Sequence, residues 1–219
     1  MLGIRRGFLL PALSPRTIPA MTPDSKPASP LPPAQVLRAH TTGMLLSDGG
    51  ATQIRYVIDP VTGEPVISLG PENVDGAEWV LCIPEEADTD LRIAATPIVL
   101  DPTKDPACDR WIGYHGTPEQ FFYRLFTSWA RLGVEVFDGP EARAISKLGR
   151  AEVALVRKLN ASALVQLGFP AGSRTVGVDE LGVDIRTPRG VERLPFETPA
   201  TTSDEAAERV EALFRKGAS

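Results

Sequence analysis

Short runs of alternating polar and apolar residues, each ended by a tight turn, dominate the chain from residue 41 onward. Thr41 to Ser47 is a β-type run that stops at Asp48-Gly49-Gly50. Thr52 to Ile58 alternates polar and apolar positions, and Asp59-Pro60-Val61-Thr62-Gly63-Glu64 returns the chain into Pro65 to Leu69. Three antiparallel strands are expected there, preceded by a short helix over 34–39. Glu78 to Ile83 and Arg92 to Leu100 read as a fourth and a fifth strand, with Pro97 placing the fifth at an edge or a bulge, and Val134 to Phe137 as a sixth. Asp105 to Gly116 is less regular. After it a helix is expected, because Thr117-Pro118-Glu119-Gln120 offers an N-cap threonine, a proline at the first helical position and a glutamine at the third. Phe121, Phe122, Leu125, Phe126 and Trp129 recur at helical spacing up to Gly133, a stripe suited to packed core or to the wall of a flat ligand. Five or six short antiparallel strands suggest a small barrel, since closure removes exposed edges.

The end of the chain is the most regular part. Thr175 to Val178, Val183 to Ile185 and Val191 to Phe196 are three short β-type runs, separated by Asp179-Glu180-Leu181-Gly182 and Thr187-Pro188-Arg189-Gly190. Asp179 and Asp184 flank the first turn, where carboxylates commonly accept hydrogen bonds from local backbone amides. Ser203 then reads as the cap of a last helix with Asp204 and Glu205 in its first turn, and Ala206, Val210, Leu213 and Phe214 fall on the face that covers the sheet. Pro140 to Gly168 reads as helical, in two pieces around Gly149. The expected class is therefore α+β: a small antiparallel β-barrel over 34–139, then a helix-linked three-stranded α/β domain over 140–219.

Composition narrows the chemistry. The 219 residues carry a net charge of −5, which argues against nucleic acid or an anionic membrane surface as partner. Cys82 and Cys108 match no metal spacing and suit free, packed thiols in a reducing, cytoplasmic setting, and with only two histidines, His40 and His115, no His/Cys metal site is expected. Residues 1–33 hold eight prolines and read as a disordered arm. Arg5-Arg6 resembles a twin-arginine signal, but its apolar run is broken at Pro11 and ended by Arg16, and Met21 offers an alternative start. No run reaches the ~20 apolar residues of a membrane span.

The folded part resembles the pyridoxamine 5′-phosphate oxidase-like split barrels, in the haem-utilisation branch whose second α/β domain has no characterised role. The resemblance rests on AHTTGMLLSDGG with IRYVIDPVTGEPVISL, on DLRIAATPIVL and DRWIGYHGTPEQFFYRLF, and most specifically on GVDELGVDIRTPRGVERLPFETP with the helix after it. It implies an FMN-binding split barrel, an oxidoreductase of that type, and a homodimer with its cofactor at the subunit interface around a small-molecule ligand. Arg92 takes the place of the family's basic residue at the start of a strand, with Ser68 and Thr96 as hydroxyl donors for the flavin phosphate. The family's longer phosphate loop is here Gly70-Pro71-Glu72-Asn73, and its His-Met-Asn-x-x-His helix is here Val156 to Ala163, without a histidine. Haem is the alternative cofactor, with His115 as its axial ligand. A cofactor-free binding or regulatory module on the same fold is the third reading.

Overall fold

The computed structural model describes residues 32–71, 78–87, 90–158 and 161–216, the side chains of residues 158, 161–163, 214 and 216 excepted. The proline-rich arm up to residue 31, Glu72 and Asn73 of the short loop, and the side chains expected to pack at Leu159, Ala163 and Phe214 lie outside these.

After α1 (Pro33–Ala39), strands β1 (Thr42–Ser47), β2 (Gly50–Ile58) and β3 (Pro65–Leu69) form the expected meander. The turn between β2 and β3 is locked by Asp59, whose N–H donates to the Glu64 carbonyl at 3.0 Å and whose Oδ1 accepts from Val61 N–H at 2.9 Å. β4 (Trp79–Ile83) pairs with β1, β5 (Leu91–Leu100) with β4, and β6 (Phe121–Leu132) with β5. β6 also pairs back onto β3, from Val66↔Arg124 to Leu69↔Phe121, and this closes a six-stranded antiparallel barrel. Inward residues such as Leu45, Tyr56, Ile67, Trp79, Leu81 and Leu125 fill it. Pro97 lies in the part of β5 that pairs with β6 alone, beyond a bulge at Ala94/Ala95, so its missing N–H interrupts no central ladder. β7 (Glu135–Asp138) extends β6 outside the closure.

The structure corrects the segment from Asp105 to Gly133. The helix there is α2 (Pro106–His115), twelve residues before the expected one, with Asp105 Oδ1 accepting from Ala107 N–H at 3.0 Å and Pro106 at its first position. The stretch expected as a helix is instead strand β6. Aromatic positions at 121, 122, 125, 126 and 129 fit helical spacing. Yet Tyr123 and Leu125 buried beside the exposed Phe126 also fit a two-residue period, and aromatic residues favour strands. The open edges of β3 and β5 decide between them, because only an extended segment can satisfy both.

The connection expected as two helical pieces is three short ones, α3 (Gly139–Ala142), α4 (Ala151–Lys158) and α5 (Ala161–Gln166), with an irregular stretch ahead of α4. β8 (Arg174–Val178), β9 (Gly182–Thr187) and β10 (Gly190–Pro195) make the expected three-stranded antiparallel sheet, and α6 (Ser203–Lys216) packs Ala206 and Val210 against Val178, Val183 and Ile185. The cap of α6 is Thr202 rather than Ser203: Thr202 Oγ1 accepts from Glu205 N–H at 3.2 Å, while Glu205 Oε2 accepts from Thr201 N–H at 2.8 Å. Cys82 and Cys108 are buried and unbridged, as expected. No helix among the described residues is long and apolar enough to cross a membrane.

α2 is the layer between the barrel and the second sheet. Cys108, Trp111 and Tyr114 pack on Val57, Val66 and Phe122 on one side and on Val176 and Val191 on the other. At the bulge in β8, Gly177 lets the Tyr114 hydroxyl through to donate to Asp184 Oδ2 at 2.8 Å, and a methyl group at 177 would overlap that hydroxyl. Gly177→Ala is expected to lower stability by about 1–3 kcal/mol in urea denaturation. In a Tyr114→Phe background, which removes the overlapping oxygen, much of that loss should vanish; strictly additive effects would show that the overlap is not its cause.

Candidate functional site

The four residues singled out from the sequence fall in three places. Arg92 and Thr96 lie on β5, opposite Arg131 and Phe126, and alternate with the buried Leu91, Ile93 and Ala95. Both therefore face outward. Thr96 is exposed beside Ile98, Phe126 and Trp129, which are exposed as well, and Arg92 Nη2 donates to the Glu86 carbonyl at 3.3 Å. Ser68 is buried near the end of β3, its Oγ accepting from Glu119 N–H at 2.8 Å. His115 ends α2 with its ring 4.9 Å from that of Trp111. Arg92 and Thr96 thus share a face, while Ser68 and His115 line two different cavities.

The cavity at Ser68 encloses about 290 Å³ and is lined mainly by polar groups, among them Thr52, Gln53, Arg55, Thr117 and Glu119, with Trp111 beside them. A bound phosphate requires cationic and hydroxyl donors. Arg55 supplies the charge and Thr52, Ser68 and Thr117 the hydroxyls, so these residues fit the phosphate end of a flavin, with Glu119 the one carboxylate among the described lining residues. Ser68 keeps its own O–H to give, since its oxygen is the acceptor for Glu119. Arg55 is the residue the sequence reading missed. It sits at an outward position of β2, where a charged side chain carries no signal until α2 is laid across it.

The second cavity, of about 340 Å³, is lined by His115 and again by Arg55. His115 Nε2 lies 2.9 Å from the Tyr56 carbonyl. A carbonyl only accepts, so Nε2 carries the proton and Nδ1 is the nitrogen with a lone pair to offer a haem iron. Burial lowers the ring's pKa to about 4; the hydrogen bond to Tyr56 opposes this, and the charges of Arg55 and Arg186 add to it. His115 is therefore neutral near pH 7.

Behind both cavities lies a buried ionic network that the sequence did not reveal. Arg38 on α1 donates to Asp179 Oδ2 at 2.9 Å and to the Ala144 carbonyl at 2.6 Å, and pairs with Glu152 and Glu180 at 3.6 Å each. Arg110 on α2 pairs with Glu152 at 3.1 Å and donates to the Tyr114 hydroxyl at 3.2 Å. Arg193 on β10 bonds both Asp179 and, at 2.9 Å, Asp184. Burial pushes the Glu152 carboxyl up, against Arg110 and Arg38; burial likewise opposes ionisation of Asp179, but Arg193, Arg38 and the Leu181 amide outweigh it and hold that carboxyl down. Asp179 Oδ1 also accepts from Leu181 and Gly182 N–H at 2.8 and 3.1 Å, the local role expected of it. Among the described residues, no group of His, Cys, Asp and Glu is arranged to hold a metal ion.

The His115 shift fixes a pH dependence. Its folded pKa of about 4 lies below the ordinary 6.5, so the unfolded chain binds more protons between those values and stability must rise with pH across that window. About 2 kcal/mol of stability should be lost between pH 7 and pH 5 through this one group. Urea denaturation of His115→Gln at the two pH values should show that loss largely removed; an unchanged loss would assign it to other groups.

No protein-family model and no curated protein sequence matches the chain. Among solved structures, the protein Atu2129 of Agrobacterium tumefaciens str. C58, of unknown function, is similar in fold, with a TM-score of 0.56 and 18% identity over 87% of this chain and 100% of that one. A heme binding protein from Mycobacterium smegmatis aligns with a TM-score of 0.37 and 17% identity over 84% of this chain and 96% of that one. The closed six-stranded antiparallel barrel with a separate three-stranded sheet fits a split-barrel fold.

Proposed function

We propose that this chain is a small-ligand-binding split barrel whose ligand is flavin mononucleotide, its phosphate end held at Ser68 by Arg55. The observation that carries this reading is the polar cavity of about 290 Å³ at the end of β3, where one cation and three hydroxyl-bearing residues converge. The resemblance of the sequence to FMN-binding split barrels supports the same reading, since it implies a phosphate near the end of that strand. Bound flavin would supply hydride and electron transfer, for an oxidoreductase of the pyridoxamine 5′-phosphate oxidase-like type. The chain's own residues would bind the phosphate and shield one side of the ligand with Trp111.

A homodimer belongs to the same reading. Ile98, Phe126 and Trp129 are exposed on the outer face of β5 and β6, where Arg92 and Thr96 also lie. Three large apolar side chains on one face favour a second copy against it. Arg92 and Thr96 would then meet ligand at that interface.

Titration of the full chain with FMN, followed by flavin fluorescence, is expected to show saturable binding. Arg55→Ala should weaken it about tenfold or more, the cost of a lost charge-assisted contact. Unchanged affinity in that variant would overturn the assignment of the phosphate. Absence of flavin binding, together with a Soret band on adding haemin that His115→Ala abolishes, would move the reading to haem; binding of neither would leave a cofactor-free module.

A further inference from the structure

We propose that the cleft between the β1–β2 hairpin and the β9–β10 hairpin is a second binding site, for the phosphate dianion of a small phosphate ester, built by Arg55, Arg186 and Arg189 around His115. It stands apart from the flavin reading and shares only Arg55 with that cavity. The cleft has a volume of about 340 Å³, and its described lining includes those three arginines and no carboxylate. In a chain of net charge −5 such a cluster is not a consequence of composition. Other arginines of the chain, Arg38, Arg110, Arg124, Arg143 and Arg193, pair with carboxylates. Arg55, Arg186 and Arg189 have none among the described residues. Three cationic residues lining one cleft with no carboxylate among its described lining residues repel one another, and a bound anion relieves that repulsion.

Arg55 and Arg189 are exposed at the rim of the cleft, and the half-buried Arg186 is anchored within it. Arg186 Nη1 donates to the Ile112 and Gly113 carbonyls at 3.2 and 3.1 Å, at the end of α2. Its guanidinium lies over Gly116, whose φ of +92° and missing side chain leave the room: a Cβ there would come within 2.6 Å of Nη2. The backbone of Arg189 is set by the turn it belongs to, its main-chain N–H donating to Thr187 Oγ1 at 3.1 Å. His115 is neutral and adds a polar edge without a fourth charge. Pro188 and Val191 supply apolar surface for the organic part of an ester. The volume falls at the lower end of the roughly 300–1000 Å³ of small-molecule sites, more than a free phosphate fills.

The test uses the full chain, with phenyl phosphate and inorganic phosphate as probes and the ring resonances of His115 as reporter; a His40 variant makes the assignment. Phenyl phosphate should shift the His115 resonances saturably, bind more tightly than inorganic phosphate, and raise the pKa of His115 by offsetting Arg55 and Arg186. Binding should weaken with added salt. Arg189→Ala leaves the Arg186 bonds to α2 intact and should weaken binding about tenfold or more, with Arg189→Lys in between. Absence of a saturable shift, or equal affinity in wild type and Arg189→Ala, would overturn the proposal. If Thr117→Val weakens phenyl phosphate binding and Arg189→Ala does not, the anion sits in the Ser68 cavity: this site falls and the flavin reading survives. If phenyl phosphate shifts His115 in a protein that binds no FMN, the flavin reading falls and this site stands.

Discussion

A charge taken out of water must be matched where it is buried, and in this protein that rule ties three parts of the chain together. Arg38 comes from the helix before the barrel, Arg110 from the helix after β5, Arg193 from the last strand; Glu152, Asp179, Glu180 and Asp184 come from the connecting helix and the second sheet. Each cation pairs with carboxylates from other elements. Removing one member leaves the rest buried and uncompensated, which typically costs about 3–5 kcal/mol. An apolar contact tolerates sliding, whereas these pairs do not, so the network sets the register of the second sheet against α2 and the barrel. It supplies specificity of arrangement more than net stability.

The two cavities follow from that register. α2 is held at its middle by Arg110 and at its end by Tyr114 and Arg186, so Trp111 and His115 present fixed edges to the grooves on either side of Arg55. A slip of β9 by one residue would turn Arg186 and Asp184 together to the opposite face and dismantle both the clamp and the network. The geometry of the site is thus inherited from charges that face away from it.

Most of the fold was legible in the sequence because its strands are short and their turns chemically explicit. Asp59 to Glu64 and Thr187 to Gly190 announce reversals that the structure keeps. β6 was not legible: its aromatic residues satisfy a helical and an extended period equally, and only the unpaired edges of β3 and β5 select the strand. The proline signals at 106 and 118 are nearly equivalent, yet only the first is preceded by a helix cap that bonds, Asp105. The position of Ser68 near a strand end was legible, because that is local information. Arg55, Arg186 and Arg189 were invisible, since a surface arginine acquires meaning only from what the chain brings opposite it, here across 131 and more positions.

The two thiols have a use that their burial creates. Cys82 lies in the barrel wall and Cys108 on α2, the layer between the sheets, both fully shielded, and burial raises both thiols, that of Cys108 to about 11. An alkylating reagent needs the thiolate, so the folded chain is chemically silent and each sulfur reacts only when its own layer opens. The protein therefore carries two native clocks in separate strata. Their relative ticking reports whether the barrel or the helical layer between the sheets comes apart first.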